Sequence, residues 1–285
     1  MSATAQDLVA LLDLENLDID LYRGQQADTA RQRVFGGQVA AQALVAASRS
    51  CEPQFVLHSL HSYFLRPGDP SVPIIYEVER LRDGRSFLSR RVVARQHGRP
   101  IYFQASNFQV PEEGFEHQDV MPQVPLPEQG VPMEDLIAIR GQEHLEGWRR
   151  EWGGLEIRHL GTSTHGLPED PEHPAKARLW VRVAGDLGDD PVLHQAAFTF
   201  ATDLTLLGAT LVPHKRHLGS TDVMPASLDH TVWFQRPMRA DRWWLYDQAS
   251  PSASGGRGLA LARVFSQDGT LVAVIAQEGL IRRLT

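Results

Sequence analysis

Cysteine is all but missing from this chain of 285 residues: Cys51 stands alone, which excludes an intramolecular disulfide framework and a cysteine-rich metal site and fits a reducing compartment. Missing too are a basic-then-apolar leader at the amino terminus and any apolar run near the roughly 20 residues that a membrane span requires. The expectation is therefore a cytoplasmic protein, and the closing Arg283-Leu284-Thr285 is not the peroxisomal tripeptide signal. Positive charge is in deficit, with a formal net charge of −7 and a pI near 5.9, so no general nucleic-acid-binding face is expected. There is no Gly-x-Ser-x-Gly elbow, Walker loop, Gly-x-Gly-x-x-Gly turn or His-Glu-x-x-His helix, and serine hydrolases, nucleotide enzymes and zinc proteases lose support accordingly. The twelve histidines show no metal-ligand spacing, so neither a metal nor a cofactor is expected. His58 and His61, three apart in a predicted strand, should point to opposite faces. Cys51 has no base beside it and reads as an idle thiol.

What is present is a repeat. Tyr63-Phe64-Leu65-Arg66-Pro67 returns as Trp233-Phe234-Gln235-Arg236-Pro237, 170 positions on, with similar sequence following each copy. Strands are predicted over 73–81, 87–96 and 101–109 after the first copy, parted by Asp83-Gly84 and His97-Gly98. After the second they fall over 243–248, 258–265 and 271–282, parted by Gly255-Gly256 and Gln267-Asp268-Gly269. Ile74, Tyr76 and Val78 share one strand face, Glu77 and Glu79 the other. Upstream lie a short helix over 8–14, a strand over 19–24, and an alanine-rich helix over 38–47 introduced by Gly36-Gly37. Residues 155–158 match 19–21 and open the second copy. A strand over 177–183 follows, then a helix with Leu193, Ala196 or Ala197, Phe200 and Leu204 in one stripe. The reading is an α+β fold of two fused units, each an antiparallel sheet wrapped around one central helix. The first unit covers 1–112 and the second, expected to carry the catalytic residues, 154–285. Between them, 113–153 is a Pro-, Glu-, Gln- and Gly-rich connection with a helical turn or two over 134–148.

Two copies of one fold provide a control, because a polar residue that only one copy holds is a candidate for chemistry. Asp203 borders the apolar stripe of the second helix near its carboxyl end, where burial and the helix dipole both disfavour the anion and make it a better base. The first helix, over 36–47, has no acid. Gln277 falls on the same strand face as Leu271, Ala273 and Ile275, where the first copy has Ser106 or Asn107. Ser227 opens the predicted strand over 227–234, where the first copy has Leu57. For any one of these residues a structural role is the default; three in the same copy shift the balance.

The chain resembles the bacterial type II acyl-CoA thioesterases, which are similar to the peroxisomal acyl-CoA thioesterases. The resemblance runs from Leu11 through Arg282. It is carried by Arg33-Val34-Phe35-Gly36-Gly37-Gln38-Val39, the run from His58 to Asp69, Gly114-Phe115-Glu116-His117-Gln118, Asp229-His230 before Trp233-Phe234, and Gln277-Glu278-Gly279. It implies a double hotdog fold, acyl-CoA hydrolysis to free fatty acid and CoA, and assembly into dimers or tetramers. It also implies a catalytic set matched here by Asp203 in Thr202-Asp203-Leu204, by Ser227, and by Gln277, the same three residues. A thiol with a pKa of about 8.5 leaves with little acid assistance, so one water held by these three side chains and deprotonated by Asp203 would suffice.

Substrate phosphates need local positive charge. Arg82, Arg85, Arg90, Arg91 and Arg95 crowd one hairpin, Arg257 and Arg263 the matching one; most are expected to be solvated strand-face residues, with Arg85 and Arg257 the candidates for substrate contact. Gly36 and Gly37 either let the helix start close to the sheet or offer N–H groups to the ligand. Two alternatives stand beside hydrolysis. An acyl-CoA hydratase or dehydratase would need an Asp/His pair facing one carbon–carbon bond, but Asp229 and His230 are strand neighbours whose side chains diverge. A non-catalytic acyl-CoA-binding module would not need Asp203, Ser227 and Gln277 together.

Overall fold

The computed structural model describes residues 3–168 and 170–284; Thr285 of the closing tripeptide lies outside them. Helix α1 (Ala5–Leu12) begins at a capping box formed by Thr4 and Asp7, and it buries Leu8, Leu11 and Leu12. β1 (Glu15–Asp18) and β2 (Leu21–Gly24) follow as a hairpin. The sequence predicts one strand over 19–24, but Asp20 adopts a φ of 57° and turns the chain there, leaving Ile19 84% exposed. In α2 (Gly36–Arg49) every residue over 37–47 is buried, because alanine-sized side chains let sheet and helix close on it from all sides. β3 (Val56–Phe64), β4 (Ile74–Asp83), β5 (Phe87–Gln96) and β6 (Arg99–Gln109) complete the first half. Ile74, Tyr76 and Val78 are buried and Glu77 and Glu79 exposed, as strand alternation demands.

The connecting stretch contributes β7 (Val131–Pro132), α3 (Met133–Ala138) and α4 (Gln142–Trp152). Ahead of β7 it lies along the outer side of the second half: Met121 and Val124 pack on Trp180, Leu245, Phe265 and Leu271, and Trp180 donates its indole N–H to the Pro125 carbonyl. The second half runs through β8 (Leu155–Thr162), β9 (Lys176–Val183) and α5 (Pro191–Thr202) to a 3₁₀ helix over Leu206–His214. It then continues through β10 (Val223–Ser227), β11 (Asp229–Phe234), β12 (Trp244–Ser254), β13 (Arg257–Ser266) and β14 (Leu271–Arg283). By ladder position β9 answers β2, since β9 pairs with β12 as β2 pairs with β4. Residues 155–158, matched by sequence to 19–21, sit one strand further out, where the first half has β1. The stretch Pro191–His214 is long and apolar enough to cross a membrane, but 78% of its apolar window is buried inside the fold.

Among the described residues fourteen strands form one antiparallel sheet in the order β1-β2-β4-β5-β6-β3-β11-β14-β13-β12-β9-β8-β7, with β10 paired to β14. The halves join where β3 pairs with β11, Asp229 opposite Tyr63 and Trp233 opposite Ser59. Inside, the start of α2 meets the end of α5 so closely that a Cβ on Gly37 would stand 2.4 Å from the Phe200 carbonyl oxygen. Only glycine permits that approach. The fold is an α+β double hotdog, and this helix-start to helix-end contact is where its polar interior lies.

Candidate active site

Asp203 is the C-cap of α5, so the last turn of a helix presents its carboxylate. Gln277 is fully buried on the inner face of β14, in phase with Leu271, Ala273 and Ile275. Its amide nitrogen donates to Asp203 Oδ1 over 2.5 Å and to Ser227 Oγ over 3.0 Å. The three residues singled out in the sequence thus converge on one amide. Ser227 does not open the strand over 227–234: it ends β10, and Leu228 bulges out of the ladder before β11 begins. His58 bulges from β3 at the matching place, and this puts His58 and His61 on the same outer face, against Phe87 and Trp233 respectively, where alternation predicts opposite faces. The His58 ring resists protonation through burial and the proximity of His61.

The first half supplies the other wall. The Gly37 N–H lies near enough to Asp203 to favour its anion, and a Cβ on Gly36 would come within 2.8 Å of both Asp203 Oδ2 and the Phe64 ring. The N-cap of α2 is Phe35, which has no capping side chain, so the carboxylate from the other half serves as the cap. The Gly36 N–H makes no hydrogen bond to a described residue. Burial dominates the carboxyl's acidity and pushes its pKa from an ordinary 3.8 to about 7, against the opposing pull of Gln277, Gly37, Arg31 and Ser227. A carboxylate with a pKa near neutrality is suited to accept a proton from water.

Around this centre the other titratable groups are neutral. Burial and the nearby Asp203 raise the Tyr102 and Tyr246 phenols, and Tyr246 donates to the Thr202 carbonyl. Burial drives His230 down to about 4. The Thr202 hydroxyl donates to the Thr199 carbonyl, so at 3.0 Å it accepts the His230 Nε2–H. Two buried acceptors, Gln277 Oε1 and His230 Nδ1, have no donor among the described residues. Asp229 turns the other way and accepts the Glu278 N–H, so it forms no acid–base pair with His230.

The arginines chosen for substrate contact are not part of the cluster. Arg85 is exposed at the β4–β5 hairpin tip, over the carboxyl end of α2 and away from Asp203, which meets the opposite end. Arg257 lies on the outer sheet face and pairs with Glu278. Arg90, expected on a solvated face, is 1% exposed, because its place in β5 turns it inward. Sequence patterning also passed over Arg31, which sits in an aperiodic loop with no signal to mark it. Among the described residues no group of three His, Cys, Asp or Glu side chains could hold a metal ion.

A double hotdog with a buried carboxylate, hydroxyl and amide joined at its helix junction is suited to acyl-thioester hydrolysis. Comparison with known proteins agrees. Residues 170–280 match the family described as acyl-CoA thioesterase and residues 25–108 its acyl-CoA thioesterase N-terminal domain. Acyl-CoA thioesterase 2 of Haemophilus influenzae is 38% identical over 99% of both chains, and human acyl-coenzyme A thioesterase 8 is 40% identical over 96% of this chain and 88% of its own. The crystal structure of an acyl-CoA thioesterase II from Mycobacterium marinum superposes with a TM-score of 0.84 at 41% identity, covering 98% of this chain and 99% of that one. The chain belongs to the type II acyl-CoA thioesterase family and is an acyl-CoA thioester hydrolase.

Proposed function

We propose that Asp203, Ser227 and Gln277 hydrolyse fatty acyl-CoA by direct attack of a water they hold in common. The observation that carries this reading is the single Gln277 amide bonded to both Asp203 and Ser227, with its own Oε1 unpartnered and buried. A water in that space donates one proton toward Asp203 and another toward Gln277 Oε1, leaving an oxygen lone pair for the thioester carbon. As the carbonyl oxygen gains charge, the start of α2 supplies donors, with the Gly36 N–H the first free one. Collapse expels the CoA thiolate and leaves the acid, with no covalent acyl-enzyme and no cofactor. Asp203 must be ionised to act, so kcat/KM rises with pH through about 7 and levels off above it. Asp203→Asn tests the assignment: thiol release from acyl-CoA should fall on the order of 10²- to 10⁴-fold, and a variant within a few-fold of the parent overturns it.

The same reading includes a homo-oligomer, a dimer or tetramer, in the cytoplasm. Val56, Tyr63 and Phe87 stand exposed on the first half, whereas in the second half the connecting stretch covers Trp180, Leu245 and Phe265. The unpaired Cys51 fits a reducing setting. Sedimentation of the purified chain checks the first point, and a monomer at micromolar concentration would count against it.

A further inference from the structure

Arg31 is exposed in the loop ahead of α2 and forms no ion pair with a described residue. Its loop is nevertheless fixed by the connecting helix. Thr29 Oγ1 donates to the Glu151 carboxylate over 2.8 Å, the Ala30 N–H donates to the same group over 3.2 Å, and the Arg31 N–H donates to Thr29 Oγ1 over 3.1 Å. The guanidinium carbon then sits 5.3 Å from the centre of the Trp152 ring and 5.9 Å from that of Phe35. Phe35 meets Trp152 edge-on at 4.8 Å and Phe200 at 5.1 Å. It also directly precedes Gly36 and Gly37, which abut Asp203. A cation therefore rests on the outer side of an aromatic layer whose inner side adjoins the glycines against the carboxylate, and Phe35 and Trp152 are both buried, so its field reaches inward through apolar rings.

The other groups facing Asp203 carry no charge that could do the same. They are the Gly37 N–H of α2, Gln277 of β14, Ser227 of β10, and the neutral phenols of Tyr102 in β6 and Tyr246 in β12, with the neutral His230 of β11 behind Thr202. Among charged side chains Arg31 acts on Asp203 most strongly, and it favours the anion. We propose that Arg31, clamped over Phe35 and Trp152 by the connecting helix α4, is a positioning residue for the general base: its charge, delivered across the aromatic layer, keeps Asp203 ionised and ready to take a proton. The connection between the halves would then be part of the catalytic apparatus.

This rests on Asp203 being the base, and the test separates the two claims. The pH dependence of kcat/KM for acyl-CoA hydrolysis is measured for the parent, Arg31→Met, Arg31→Lys and Asp203→Asn. Arg31→Met should move the acid limb upward by about half a pH unit, lowering activity near pH 6 about three-fold, with the ratio to the parent recovering as pH rises. Arg31→Lys should return the limb toward the parent. Raising ionic strength on the parent should shift its limb the same way as Arg31→Met, because the guanidinium is open to solvent. An unmoved limb in Arg31→Met, or a loss equal at every pH, overturns the proposal while an inactive Asp203→Asn keeps the base assignment. If Asp203→Asn stays active, the base assignment itself fails, whatever Arg31→Met shows.

Discussion

Arg90 and Ala260 occupy the same place in the two halves of this molecule. Arg90 faces Ser106 across β5 and β6, and Ala260 faces Gln277 across β13 and β14. The buried guanidinium fills the first half's interior: it donates to Ser50 Oγ over 2.8 Å, to the carbonyls of Ser50 and Arg82, and to the Asp83 carboxylate. Ser50 is the C-cap of α2, as Asp203 is of α5. In the second half a methyl group stands in for the guanidinium, and the space holds the Gln277 amide with its two partners. The helix starts differ in the complementary sense. Asp190 caps α5 with its own side chain and Pro191 removes an N–H, whereas α2 begins at two glycines with no cap from its own N-cap residue. One half has kept a helix start that can receive a carboxylate, and the other a helix end that presents one. Two identical halves could do neither as well.

The sharpest way to break this comparison is Arg90→Met. It strips a buried set of acceptors, Ser50, Arg82 and Ser89, of their donor, and should destabilise the fold by about 3 kcal/mol in urea unfolding. A variant as stable as the parent would mean that the first half's interior is not held by this side chain.

How much of this was legible beforehand depends on where periodicity speaks. The strands over 87–96 and 258–265, the alanine-rich helix and the convergence candidates Asp203, Ser227 and Gln277 follow from alternation and from comparing the copies. The inward turn of Arg90 is in the pattern too, since it is in phase with Leu88 and Val92, but its charge argues for solvent and only a full set of buried partners reverses that. The bulges at His58 and Leu228 leave no mark, because one extra residue in a ladder is set by pairing across the sheet. Nor does the sequence show that the 23 residues over 203–225 replace the six over 50–55, inserting the 3₁₀ helix and most of β10 beside the site. Arg31 is a long-range effect through rings brought together from three elements.

The second test turns on stability. Because burial lifts Asp203 to about 7, the folded chain between roughly pH 4 and 7 binds a proton there that the unfolded chain does not. This residue's contribution is therefore fully favourable below about pH 4 and drains away as pH rises through 7, costing up to about 4 kcal/mol at pH 8. Asp203→Asn removes that charge, and Gln277 can turn its amide to meet the new donor, so the variant should gain about 2 kcal/mol at pH 8 and almost nothing at pH 5. No counterpart of this window should come from Ser50 in the first half, which has no charge to lose. Unfolding at the two pH values decides it; equal gains would mean that the carboxyl is not strained by burial.

The smallest expected effect concerns Ser227, at the place of Leu57. Its hydroxyl accepts from Gln277 and helps to hold the Asp203 anion. Ser227→Ala should lower kcat about ten-fold, near 1.4 kcal/mol, and move the acid limb slightly upward, since losing a donor to a carboxylate favours its protonated form. Ser227→Thr keeps the hydroxyl and should recover most of the rate. If Ala and Thr behave alike, the hydroxyl is packing and not chemistry, and the second half's specialisation shrinks to Asp203 and Gln277. If only Ala is slow, then the step from Leu57 to Ser227 belongs with those from Ser50 to Asp203 and from Ser106 to Gln277, as a change that converts a filled interior into a site for water.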